Sequence, residues 1–177
     1  MTSDWKNYKK NICERIEEKV LGFSINDKKI LISAILSEAY LNEKNDYNEQ
    51  LKKIGVDKSL ETIGDYVLDF VIVIDHFAKN SQYTPKQLDD FRQWYGKNSN
   101  LHKFSKETLH LQDFILWGPD ESAKKKWDQA STEMLANRFE MLVGAIYLDR
   151  GIKAVKQFLV NINFYDEIDK FRCNGFL

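Results

Sequence analysis

The sequence predicts an all-α fold in a single domain, and three observations lead to that prediction. Apolar residues recur every three or four positions along most of the chain, the spacing of helices that pack on one face. Only two prolines and eight glycines interrupt 177 residues, too few turn-forming residues for a many-stranded sandwich or barrel. The length suits one hydrophobic core, which usually serves chains of up to roughly 200 residues.

Charge and cysteine content narrow the class of protein. Twenty-six basic and 27 acidic side chains leave a formal net charge of −1, which excludes a partner held mainly by bulk positive charge but allows a local basic strip. Two cysteines, Cys13 and Cys173, do not make a disulfide framework. The most apolar window, residues 66–77, contains two aspartates and is shorter than the ~20 residues of a membrane span. We therefore expect a soluble, cytoplasmic chain with neither a signal peptide nor a membrane segment.

Three helices are predicted in the N-terminal part of the chain. Residues 8–21 place apolar side chains on one face and stop at Gly22, a residue type that commonly ends helices. A second helix is predicted over residues 27–41, with Asn26 as its N-cap. A short third helix is expected around residues 51–54.

The longest apolar helix is predicted over residues 59–79. Its apolar residues cover nearly the whole circumference, which is typical of a central, buried helix. The next helix begins at a clear signal, in which Thr84 is the N-cap, Pro85 the first helical residue and Gln87 the third, and it is expected to reach Tyr95.

The C-terminal part is predicted to be helical as well. One or two short helices are expected within residues 98–117, before a turn at Gly118-Pro119. A second strongly apolar helix is predicted over residues 131–149, with Gly151 as its stop, and two further helices over 152–160 and 166–171.

Acidic and amide side chains interrupt the apolar pattern of the two most apolar helices. Glu61 and Asp65 are four residues apart, so they differ by only about 40° around the helix axis. Asn137 and Glu140 are three residues apart and likewise share a face. Each helix therefore carries a polar pair on one side.

A glycine lies near each polar pair, Gly64 in the first helix and Gly144 in the second. Glycine inside a helix costs about 1 kcal/mol relative to alanine, so we expect it to serve a close approach of two backbones. If the two helices cross there, three carboxylates and one amide oxygen converge in a small volume.

Such a cluster needs a counter-charge, because like charges and burial both oppose ionisation. Hard oxygen ligands without histidine or cysteine favour Mg²⁺ or Mn²⁺, ions that assist phosphoryl transfer. This pattern therefore indicates a metal-dependent nuclease or phosphatase. The competing interpretation is that these acids lie on solvated helix faces, and spacing alone favours neither.

Three segments resemble motifs of the ribonuclease III family. Residues 60–68, LETIGDYVL, look like the second half of its motif ERLEFLGDAVL. Residues 136–149, ANRFEMLVGAIYLD, are similar to its second acidic segment ADxFEALIGAIYLD. Residues 34–43, AILSEAYLNE, look like its early helix ALTHRSYANE. The resemblance extends over about residues 30–159, and the pair of acidic motifs in this order is specific.

The resemblance implies a fold, a site and an activity. The whole chain, residues 1–177, is expected to be one ribonuclease III-like endonuclease domain that forms a symmetric homodimer. Glu61, Asp65 and Glu140 fall on metal-binding positions, and Asn137 falls on a fourth that is usually aspartate. The implied reaction is hydrolysis of double-stranded or structured RNA with Mg²⁺, or alternatively Mn²⁺. Its products carry 5′-phosphate and 3′-hydroxyl ends, as in RNA processing.

Several positions depart from the family motifs, and they support the first of two alternative functions. Asn137 removes one negative charge and is expected to weaken metal affinity, while Thr62 replaces an aromatic residue of the dimer interface. Lys58 and Ser59 stand where the first acidic motif begins with Glu and Arg. Ser37 and Glu38 replace the His and Arg of the early helix. The first alternative is a catalytically weak or inactive domain that binds RNA or a ribonucleoprotein as a scaffold. The second is a metal-dependent phosphohydrolase acting on small nucleotides.

The resemblance is to short, catalytic-domain-only members, so no separate RNA-binding domain is expected. RNA would then be gripped by the domain's own surface. The candidates for this contact are Lys124, Lys125, Lys126, Lys97 and Asn100, with Lys52 and Lys53 as a further basic pair. Each of these is also compatible with an ordinary solvated surface.

Overall fold

A computed structural model describes residues 3–42, 46–129 and 133–173, and within these ranges it is helical and contains no β-strand. The all-α prediction is therefore confirmed. The helices are α1 (Ser3–Ile16), α2 (Lys28–Ile35), α3 (Asn48–Ile54), α4 (Ser59–Lys79), α5 (Pro85–Tyr95), α6 (Asn98–Glu107), α7 (Pro119–Ala123), α8 (Met134–Asn161) and α9 (Phe164–Cys173). A π-helical turn continues α1 over Glu17–Leu21, and short 3₁₀ turns lie at Tyr40–Asn42, Leu111–Asp113 and Lys126–Asp128. None of the described helices combines the length and apolar character that crossing a lipid bilayer requires.

The predicted second helix is wrong at both ends. Its N-cap is Asp27 rather than Asn26, because the Asp27 carboxylate accepts a hydrogen bond from the backbone N–H of Lys29 at 2.8 Å. The helix ends at Ile35, six residues early, since Leu36 turns into an extended conformation and forms a parallel β-bridge with Leu116. A tertiary contact, and not the local pattern, therefore ends α2.

The predicted bounds of the two helices α4 and α5 are confirmed. The helix α4 spans Ser59–Lys79, and α5 begins with the expected capping box at Thr84. The expectation that α4 is buried all round is wrong, because Tyr66 and Phe70 are 71% and 57% exposed. One flank of the central helix therefore remains open.

The C-terminal helices differ from the prediction mainly in how they join. The predicted helices over residues 131–149 and 152–160 form one long element, α8, which breaks at Gly151 with φ 74° and ψ −178°. Residue 131, the predicted start, lies outside the described residues, and the predicted turn at Gly118-Pro119 instead opens α7.

The core forms around α8, which packs most extensively against α4 among the described helices. The helices α2 and α6 also contact α8, and α5 packs against α4. Aromatic side chains fill the centre, and the largest fully buried ones are Phe104, Phe139, Phe158 and Phe164. Burial of each such side chain stabilises the fold by roughly 1.5–3 kcal/mol. The α4–α8 pair is thus anchored in the core close to its polar residues.

Candidate metal site

Two glycines allow α4 and α8 to cross at very short range. A Cβ atom placed on Gly64 would lie 1.8 Å from the backbone oxygen of Glu140, and one on Gly144 would lie 2.2 Å from the backbone oxygen of Leu60. Any side chain at either position would overlap the other helix, so the close approach requires glycine at both. The role predicted for these two glycines is confirmed.

The crossing brings the four predicted site residues to one cavity of about 250 Å³. Glu61 and Asp65 lie on the α4 side, and Asn137 and Glu140 on the α8 side. Four residues not singled out as ligands complete the lining: Thr62, Tyr66, Asn98 and Glu133. Asp65 is exposed and Glu61 half-buried, so the structure brings the residues together without excluding that these two acids are simply solvated, and binding of a metal stays a prediction.

Glu140 is the deepest acid of the cavity. Its side chain is only 6% exposed, and among the described residues no hydrogen-bond or ion-pair partner reaches its carboxylate. Burial raises the pKa of Glu140 from 4.5 to about 8, and the nearby charges of Asp65 and Glu61 raise it further in the same direction. Burial also raises the pKa of Asp65, with Asp69 adding to the effect and Arg92 opposing it. The cavity therefore favours whatever neutralises these acids, a proton or a cation.

The nearest arginines are committed elsewhere. Arg138 is half-buried, and its Nη1 donates to the backbone oxygens of Leu36 at 3.0 Å and Ala34 at 3.4 Å. Arg92 pairs with Asp69 through Nη1 at 2.9 Å. Arg138 lines a neighbouring cavity together with Glu61, but among the described residues no arginine forms an ion pair with Glu140.

The donor set suits a hard divalent cation. It consists of carboxylate and amide oxygens, without histidine or cysteine, which is the ligand chemistry of Mg²⁺ and Mn²⁺. As the described side chains stand, no group of three His, Cys, Asp or Glu residues is arranged to hold an ion. The cavity therefore suits a divalent cation through its ligand types and its unpartnered buried acid. Its described side chains are not already arranged around an ion.

The predicted RNA-contact residues lie outside this cavity. Lys124 pairs with Asp120 at 3.1 Å, and neither Lys125 nor Lys126 is among the cavity residues. Lys97 is exposed and precedes Asn98, which lines the cavity. Asn100 differs from these lysines because it is buried, and its side-chain amide donates to the Trp94 backbone oxygen at 2.8 Å. The structure thus gives Asn100 a structural bond, while the lysines remain available to solvent.

Two cavity residues were missed at the sequence level for different reasons. Glu133 lies four residues before Asn137 and seven before Glu140, so helical spacing already placed it on their face. Asn98 comes from the start of α6, and only the packing of α6 against α8 brings it to the cavity. The first had a local signal and the second had none.

Fold and site together define a class, that of all-α proteins with an acidic site at a glycine-lined helix crossing. A family model described as Ribonuclease-III-like matches residues 27–165, and the chain belongs to that family. It is 29% identical over 153 residues to ribonuclease 3 of Clostridium perfringens, covering 86% of this chain and 60% of that protein. It is 30% identical over 152 residues to ribonuclease 3 of Protochlamydia amoebophila, covering 86% and 59%. The chain thus spans about 60% of the length of these curated relatives.

Solved structures show the same fold. The nuclease domain of ribonuclease III from Campylobacter jejuni superposes with a TM-score of 0.66 at 27% identity, covering 84% of this chain and 94% of that domain. That structure is described as having structural flexibility in a region involved in dimer formation. The chain is therefore similar to the nuclease part of its relatives.

Proposed function

We propose that this protein is a divalent-metal-dependent endoribonuclease that hydrolyses double-stranded or structured RNA. The observation that carries the proposal is the buried, unpartnered Glu140 in a cavity shared with Glu61 and Asp65. Membership of the ribonuclease-III-like family, whose members generally use divalent metal ions, supports it. The proposed setting is RNA processing in the cytoplasm, with products carrying 5′-phosphate and 3′-hydroxyl ends.

The proposed roles follow from depth and charge. Asp65 and Glu140 would hold the cation most directly, because both line the cavity and Asp65 is the acid whose charge acts most on Glu140, and Glu61 and Asn137 would complete its surroundings. A bound Mg²⁺ or Mn²⁺ supplies Lewis acidity and neutralises charge on the phosphate. The chain's own part is to position these oxygens, while Arg138 donates to Leu36 and Arg92 to Asp69 instead of to Glu140.

The proposed RNA contacts are electrostatic. Lys97 is the best placed, since it is exposed and adjoins Asn98 at the cavity, and Lys124, Lys125 and Lys126 offer a second basic segment. Contacts of this kind neutralise phosphates and weaken as salt rises. They are compatible with the near-zero net charge because they are local.

We also propose that the protein acts as a homodimer through an apolar patch beside the site. The patch consists of Tyr66, Val67, Phe70, Tyr147, Leu148, Gly151 and Ile152, around a depression of about 740 Å³. Tyr66 belongs both to this apolar patch and to the acidic cavity, so a second copy seated here would lie next to the acids. Exposed apolar patches of this kind commonly mark protein interfaces.

The proposal is tested by incubating the protein with a long RNA duplex and either Mg²⁺ or Mn²⁺. Short products that a 5′-phosphate-dependent exonuclease degrades are expected. Asp65→Asn should lower the cleavage rate at least roughly 100-fold, the upper end for changes to groups supporting a metal. The matched control is Asp90→Asn, which removes the same charge from an exposed residue whose only ion-pair partner among the described residues is Lys86 on its own helix.

Other outcomes would point to the alternatives. Duplex that is bound but left intact with both metals would contradict the proposal and favour an RNA-binding scaffold. The substitution of Asn137 for the family's aspartate is the feature that such an outcome would implicate. Hydrolysis of nucleoside triphosphates without cleavage of duplex would instead favour a phosphohydrolase.

A further inference from the structure

Glu133 is a fourth carboxylate at the acidic cavity. It is the residue that precedes α8, and its backbone oxygen accepts the hydrogen bond from the N–H of Asn137 at 2.9 Å. Its side chain makes no capping hydrogen bond, and among the described residues it has no ion-pair partner. The carboxylate of Glu133 is therefore available to the cavity that it lines.

The position of Glu133 on the α8 side is regular. It lies one turn before Asn137 and two turns before Glu140, so the three side chains follow one helix face. Glu133 also lines the same cavity as Asn137, Glu140, Glu61 and Asp65. Its place on the helix face and in the lining thus assigns Glu133 to the same site.

Asn137 leaves that site short of charge. A neutral amide offers one oxygen ligand but no negative charge, so Glu61, Asp65 and Glu140 would face a divalent cation with three carboxylates. Glu140 is more than nine-tenths buried and unpartnered, so it favours a bound cation, and the affinity for that cation depends on how many carboxylates surround it.

We propose that Glu133 supplies the missing carboxylate, as a metal-binding residue that compensates for Asn137. The inference rests on the proposed metal dependence of the site and adds one residue to it. A hard cation gains affinity from each additional carboxylate oxygen, whether the contact is direct or through a water molecule. The site would thus keep four acids, with the fourth moved one helical turn towards the N-terminus of α8.

A competing role for Glu133 is purely structural. An exposed acid near a helix N-terminus interacts favourably with the helix dipole, typically by 0.3–1 kcal/mol. That role predicts a small loss of thermal stability without metal and no change in metal affinity. The two roles are therefore separated by measuring both quantities.

The experiment is a calorimetric titration of the metal-free protein with Mn²⁺ alone. Glu133→Gln should weaken Mn²⁺ binding about 10-fold. Glu107→Gln, which removes the same charge from an exposed residue at the far end of α6, should leave the dissociation constant unchanged. Asn137→Asp should tighten binding, and Glu133→Gln should cost less in that background than in the wild type, because the aspartate then supplies the fourth charge.

The outcomes distinguish this inference from the proposed function. If the wild type binds Mn²⁺ and Glu133→Gln binds it equally well, the compensation is wrong and the metal site stands. The compensation is also wrong if only the melting temperature of the metal-free variant changes. If the wild type takes up no Mn²⁺ at millimolar concentration, the proposed metal dependence itself fails.

Discussion

At the scale of single residues, Glu140 shows how strongly a helix crossing can perturb one side chain. A carboxyl that is 6% exposed and surrounded by other acids keeps its proton well above the pH at which a glutamic acid ordinarily ionises. Between its ordinary value of 4.5 and its pKa of about 8 in the folded protein, the unfolded chain has lost this proton while the folded chain keeps it. The free energy of unfolding therefore falls as pH rises through this interval.

We therefore predict that Glu140→Gln changes the pH dependence of stability. In metal-free buffer, the wild type should lose on the order of 3 kcal/mol of unfolding free energy between pH 5 and pH 8 through this group. Glutamine carries no titrating proton, so the variant should lose less over the same interval. Urea denaturation at several pH values measures both proteins, and parallel curves would contradict the assigned burial of the charge.

Two residues that depart from the family motifs compensate each other. Glu38 and Lys58 form an ion pair at 3.0 Å between the end of the α2 segment and the start of α4. Both side chains are largely exposed, so the pair contributes at most about 1 kcal/mol. Considered singly, each change suggested a weakened site. As an ion pair they give each other an opposite charge, and their effect on catalysis stays a prediction.

At the scale of helices, the crossing of α4 and α8 was predictable because its signals are local. Spacing placed the acids on shared faces, and an unfavourable glycine in each helix indicated the close approach. The end of α2 was not predictable from local sequence. It depends on a bridge between Leu36 and Leu116 and on a hydrogen bond to Leu36 from Arg138, which is 102 residues away in sequence. Asn98 was missed for the same reason, since helix packing brings it to the cavity.

The crossing yields a prediction at this scale. Gly64→Ala should destabilise the protein by about 3 kcal/mol or more, because its Cβ would overlap a backbone atom of α8 that cannot rotate away. Thr62→Ala, on the exposed side of the same helix, should change stability by less than about 0.5 kcal/mol. Thermal denaturation without metal compares the two, and equal melting temperatures would show that the helices lie further apart than described.

At the scale of the whole molecule, the acidic cavity and the apolar patch are neighbouring parts of one surface. They share Tyr66, whose side chain is 71% exposed, and the patch continues along α4 to Phe70. The net charge of −1 therefore averages over an acidic cavity, an apolar flank and dispersed lysines. Composition alone could not reveal this separation, since it depends on which faces the fold leaves open.

The apolar patch carries the last prediction, which concerns assembly. Phe70→Glu should convert a dimer of twice 20.8 kDa into a monomer, because a buried, unpaired glutamate at the interface is costly while the same residue on an open monomer surface is not. Light scattering after size-exclusion chromatography measures the mass. Val160→Glu, at an exposed apolar residue outside the patch, should leave the dimer intact. A wild type that is monomeric, or a Phe70→Glu variant that stays dimeric, would contradict the proposed interface.

Because the acids of each cavity come from a single chain, monomeric Phe70→Glu should still bind Mn²⁺ while its cleavage of duplex RNA falls.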